Sequence, residues 1–155
     1  MLGMETMTGP IAQTIQLALA PVFVLVAIGN IMNILSSRLG RVVDRSRKLR
    51  AEYEQTSGRE HDDVVRELRI VSRRITLIGR AIMKLVLSGL TIGLVVALLF
   101  IEEMFGLDLH QFAAAAFFVA IALLMWALWQ FMQETRAATA ALRIPASYLE
   151  ARREP

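Results

Sequence analysis

I-A-Q-T-I-Q-L-A-L-A-P-V-F-V-L-V-A-I-G-N-I-M-N-I-L, residues 11–35, runs without a break into S-S-R-L-G-R-V-V-D-R-S-R-K-L-R, residues 36–50. An apolar segment long enough to cross a bilayer thus passes directly into a dense basic one, with no Gly-Pro punctuation between them. About 20 apolar residues span a hydrocarbon core. Only Leu17 to Ile28 is apolar throughout, flanked by Gln13, Gln16, Asn30 and Asn33, so this first span is the least clear-cut of the three. The reading is one helix that crosses a membrane and continues into water on the far side.

The rest of the chain agrees. Of 155 residues, 55% are hydrophobic, and the mean hydropathy is +0.51, too oily for a soluble domain of this size when the apolar residues are also blocked together. Two further segments can span: Ala81 to Ile101, with Lys84 able to snorkel near its start, and Phe112 to Met132, with Trp126 and Trp129 towards its end. Met1 to Pro10 carries no Lys or Arg, unlike a cleavable leader, so the first span is expected to be retained. With no cysteine, disulfides and thiolate chemistry are excluded.

Charge gives orientation. Thirteen of the 17 Lys and Arg lie between Ser36 and Lys84, and the other four follow Met132. The first ten residues and the loop from Glu102 to Gln111 have none. The positive-inside rule predicts N-terminus out, C-terminus in and three crossings. If the first segment did not cross, the other two would form a hairpin with both termini inside. A pI of 9.9 beside apolar spans points to topology rather than to nucleic acid.

Between the first two spans, residues 36–80 predict a helical hairpin. Leu35, Leu39, Val42, Ser46, Leu49 and Tyr53 recur at three- and four-residue spacing, as do Val64, Leu68, Val71, Ile75, Ile78 and Ile82, with Thr56-Ser57-Gly58 as the break. The two arms continue the adjacent spans. The tail, 133–155, starts as Ala-rich helix, stops at Pro145 and frays after Ser147. The expected fold is therefore all-α: a single domain of three transmembrane helices with a cytoplasmic antiparallel hairpin.

Ala20-Pro21, the run from Asn33 through Arg38-Leu39, Arg41, Asp44-Arg45 and Arg47, the block around Arg73, Arg74, Arg80 and Ala81, and the ending Phe131, Glu134, Arg136 together resemble the bacterial DUF2721 family over about residues 11–142. The resemblance implies an integral protein of the bacterial inner membrane and carries no reaction with it.

Candidate sites follow from the helix geometry. At 100° per residue, Gln13, Gln16, Asn30, Ser37, Arg38, Arg41 and Arg45 share one face of the first helix, with Asn33 nearby and Phe23 and Ile34 interrupting. Two readings are open. The face lines a pore in a homo-oligomer, with arginine rings favouring anions and apolar constrictions that dewet. Otherwise the amides bond between helices of one chain and the arginines form a solvated edge. Asp44 can pair locally with Arg47, Lys48 or Arg41, or reach across the hairpin to Arg73, Arg74 or Arg80. Gly89, Gly93 and Ala97 form a small face suited to close packing, against the third span through Ala116 and Ala120 or against another subunit. Glu102, Glu103, Asp108 and His110 match no metal motif, and His61 is expected to be solvated and to cap a helix.

There is no Ser/His/acid set, no H-E-x-x-H and no phosphate loop. The expectation is a non-enzymatic protein without cofactor or metal, self-associating and forming an anion-favouring conduit along the first helix. The alternative is a structural or adaptor protein whose basic hairpin binds anionic lipid headgroups or a cytoplasmic partner.

Overall fold

A computed structural model describes residues 5–141, with side chains described for 15–136. All regular structure among them is helical: α1 (Glu5–Tyr53), α2 (Arg59–Phe105) and α3 (His110–Ala141). Each is long and apolar enough to cross a membrane. The side chain of Gln13, the stop at Pro145 and the terminal segment after Ser147 lie outside the described residues.

Both arms of the hairpin are continuous with the spans beside them, since α1 and α2 are single helices of 49 and 47 residues. Pro21 sits buried inside α1. It has no N–H for the Leu17 carbonyl, a loss that apolar packing around long helices tolerates. The second span runs past Ile101 to Phe105, so Glu102 and Glu103 are helical rather than loop residues.

Two glycines close the turns. Gly58 (φ 68°, ψ −138°) precedes α2 in a backbone region that side chains disfavour. Gly106 (φ 65°, ψ 28°) ends α2 in the left-handed conformation, its N–H donating to the Glu102 carbonyl at 2.9 Å. His61 is neither solvated nor a cap: it is half-buried, its ring 4.4 Å from that of Tyr53 across the hairpin tip.

Packing follows a seven-residue repeat. Ile28, Leu35, Val42 and Leu49 are buried on α1, and Val64, Val71, Ile78, Leu85 and Ile92 on α2. A strict heptad keeps one seam facing its partner when helices wind around each other left-handedly. The expected hairpin seams are found here: Leu39, Leu68, Ile75 and Ile82 pack half-buried beside them, while Tyr53 stays largely exposed. A second seam on α2, Ala81, Ser88 and Val95, pairs that helix with α3. On α3 the buried positions are Ala113, Ala120, Ala127 and Glu134, again seven apart. Alanines let the backbones approach, and the Ser88 hydroxyl donates to the Ala120 carbonyl at 2.7 Å.

The outer surface divides along the helix axes. Leu19, Phe23, Leu90, Leu94, Phe118 and Met125 are exposed around the apolar half. Arg41, Arg47, Lys48 and Arg69 are exposed around the hairpin half. An apolar exterior of that extent is unlike a water-facing surface.

Candidate functional site

Three features place residues from different helices at one level. A methyl group built on Gly89 would lie 3.6 Å from Leu25 Cδ1, which aligns α1 with α2. The Ser88–Ala120 bond and the Lys84–Gln130 bond (2.9 Å) align α2 with α3. From those points the helices descend together towards the hairpin at about 1.5 Å per residue.

The heptad that buries three alanines on α3 next buries Glu134, whose side chain is 1% exposed. An ionised carboxylate at that depth needs partners. Arg74, from α2, supplies one: Nε lies 3.0 Å and Nη2 2.9 Å from Oε1. Arg38, from α1, supplies the other, with Nη2 3.1 Å from Oε2. That second contact is an ion pair without hydrogen-bond alignment, and Oε2 accepts no hydrogen bond. Arg38 also donates to Thr135 Oγ1 at 3.4 Å and lies over the Phe131 ring, 5.1 Å from its centroid. One carboxylate therefore ties all three helices, although α1 and α3 otherwise touch little.

Towards the hairpin, Arg45 grips Glu67 in a two-pronged pair at 2.8 and 2.9 Å and sits 3.7 Å from Glu52. The hydrogen-bonded Glu67 raises the Arg45 guanidinium pKa further above its ordinary range. On the apolar side, Lys84 bonds Gln130 and stands 4.9 Å over the Trp126 ring.

Of the two pairings open to Asp44, the local one forms and the link across the hairpin does not. Asp44 is exposed and pairs with Arg47 at 3.7 Å, both on α1. Arg74 turns instead to Glu134, and Arg73 and Arg80 are exposed. The cross-hairpin pair is Arg45–Glu67, because the heptad seam points Asp44 away from α2. The small face divides differently too. Gly89 faces Leu25 and Ile28 of α1 rather than α3, and Gly93 and Ala97 face outward. The α3 contact is made by the Ser88 seam.

Of the polar face on α1, Gln16, Asn30, Asn33, Ser37, Arg41 and Arg45 are exposed and Arg38 is half-buried. Among the described residues, Asn30 and Asn33 make no side-chain hydrogen bond to α2 or α3 of the kind expected for interhelical amides. They stand two and five residues beyond Ile28, within a few Å of the level of Lys84, Gln130 and Trp126. Among the described residues, no group of three or more acidic or imidazole side chains is arranged to hold a metal. His110 Nδ1 approaches Glu102 Oε1 at 4.0 Å.

Glu134, which the sequence marks only as part of the ending Phe131, Glu134, Arg136, is the carboxylate at the centre of this junction. Its signal was present: it stands seven residues past Ala127 in the series 113, 120, 127.

No curated protein and no solved structure matches the chain. One family model does, over residues 18–144, which include Arg38, Arg74 and Glu134. The chain belongs to the family described as a protein of unknown function, DUF2721.

Proposed function

We propose that this is a non-enzymatic, multi-pass protein of the bacterial inner membrane, N-terminus out and C-terminus in, which works by binding. Its basic inner hairpin holds the anionic headgroups of the inner leaflet and presents a rigid stalk to cytoplasmic partners. The observation that carries this reading is the surplus of bare cations. Among the described residues, Arg41, Lys48, Arg50, Arg69, Arg73, Arg80 and Arg136 are exposed and form no ion pair with a carboxylate. Several share the level of the Glu134 junction, a few turns below Lys84 and the tryptophans that suit the headgroup zone. Each basic residue near an anionic leaflet contributes about 1 kcal/mol.

The test is lipid retention by the purified full-length chain, read by native mass spectrometry. Phosphatidylglycerol should be retained over phosphatidylcholine, and salt should weaken the preference. Equal retention of the two lipids would sink the reading. Cysteine labelling checks the orientation: a cysteine at Gly106 should label from outside intact cells, and one at Ser57 should not.

A second reading, self-association along α1, is favoured by the exposure of Gln16, Asn30, Asn33 and Ser37. Conduction along that face is the weaker part of it. From Gln16 to Asn30 the face carries Ala20, Phe23 and Ala27, about 21 Å without a polar side chain. Such a stretch favours dewetting over passage. A detergent-solubilised particle with the mass of a monomer removes this reading. Anion flux into liposomes that is lost in Arg41→Glu or Asn30→Leu would restore the conduit.

A further inference from the structure

Between α1 and α2, just below the apolar half, lies a groove of about 440 Å³. Arg38, Arg41, Arg45 and Arg74 line it, over a floor of Val42 and Val71, with Ile34 at one end. Four arginines line it, and they engage three carboxylates among the described residues. Glu134 serves both Arg38 and Arg74, and Glu67 and Glu52 serve Arg45. Arg41 engages none and is exposed. The groove thus keeps an excess of about one positive charge, carried by Arg41, and the planar forks that line it match the oxygens of a phosphate better than a point charge would.

The ends of the groove differ. Ile34 is 55% exposed and stands at the apolar edge. Arg41 lies seven residues further towards the hairpin, about 10 Å along the helix. A ligand that fills the groove is oily at one end and anionic at the other. We propose that the groove is a specific site for one anionic phospholipid, its phosphate held by Arg41 between Arg38 and Arg45 and the start of an acyl chain lying against Ile34. A soluble phosphate would satisfy the arginines and leave Ile34 without a role. This site rests on the lipid-binding reading above and sharpens it from a diffuse surface to one pocket.

Native mass spectrometry of the full-length chain tests it, using phosphatidylglycerol, phosphatidylcholine and inorganic phosphate as probes. Arg41 is exposed and unpaired, so Arg41→Gln leaves the fold intact. Arg69→Gln, on the opposite groove of the hairpin, is the matched control. The expected result is about a fivefold loss of phosphatidylglycerol retention in Arg41→Gln, the effect of one basic residue at an anionic surface, with little change in Arg69→Gln. Ile34→Ser should weaken phosphatidylglycerol and leave any binding of inorganic phosphate unchanged. Equal losses in Arg41→Gln and Arg69→Gln would overturn the specific site while the diffuse lipid reading stands. Displacement of the lipid by an equal concentration of inorganic phosphate would overturn the lipid as occupant. No preference for phosphatidylglycerol in the unmodified chain would remove both.

Discussion

Replacing Glu134 by alanine removes the one carboxylate that Arg38 and Arg74 share and leaves two guanidinia facing a space of their own charge. Breaking a buried ion pair by deleting one partner costs about 3–5 kcal/mol. Glu134 is 1% exposed, whereas the Arg38 and Arg74 side chains keep 24% and 28% exposure. Water can reach the stranded cations, so the lower end applies, about 3 kcal/mol. Glu134→Gln keeps the volume and one acceptor and isolates the part due to charge. The Arg45–Glu67 pair is the internal control: both side chains are nearly half exposed, and Glu67→Ala should cost under about 1 kcal/mol despite its better hydrogen-bond geometry. The assay is denaturation by SDS in mixed micelles, followed by fluorescence of Trp126 and Trp129, the only tryptophans and both on α3. Replacing Arg38, Arg74 and Glu134 together by leucine should restore stability to within about 1 kcal/mol, since an apolar triad of similar volume needs no desolvation. If Glu134→Ala costs no more than Glu67→Ala, the junction does not hold the three helices together.

Three further outcomes are expected. Ser88→Ala should cost about 0.6 kcal/mol in the same denaturation, the usual size of a hydrogen bond between membrane helices. Ser88→Leu should cost about 1–3 kcal/mol by forcing α2 away from Ala120. Gly58→Ala should destabilise the hairpin tip by about 1–3 kcal/mol, because φ 68° with ψ −138° is closed to a Cβ, and proteolysis at residues 54–58 would report it. Gly89→Ala and Gly93→Ala should be neutral or stabilise by up to about 1 kcal/mol through helix propensity, since the new methyl meets ordinary contacts at Gly89 and open space at Gly93. A loss of self-association in Gly93→Ala would instead show that another copy packs there.

The helical class, the three long apolar segments and the hairpin seams were legible because each is written in local periodicity. Leu35, Val42 and Leu49 repeat every seven residues, and such a repeat has one low-energy answer. The continuity of α1 was legible from the missing break at residue 36. The ionic contacts were not. Asp44, standing among arginines, could pair locally or with the second arm, and charge proximity in sequence says nothing of facing. Rotation about the helix axis sends Asp44 outward and Arg38 inward. Glu134 stood out only within the ending Phe131, Glu134, Arg136, with no partner indicated. Only the alanine series before it shows that its position faces the bundle. The direction of Gly89 was equally invisible, because spacing reveals a small face without saying which neighbour covers it.

Because α1 and α2 pass from apolar to basic surroundings without a hinge, the chain is geometrically a pair of levers. Arg59 lies 25 residues from Lys84, about 38 Å along the rod. Membrane helices adjust their inclination to bilayer thickness at modest cost. An inclination change of about 10° would swing the far end through roughly 6–7 Å. Glu134, tied to Arg74 about 15 Å along the arm from Lys84, couples the third rod to the same movement.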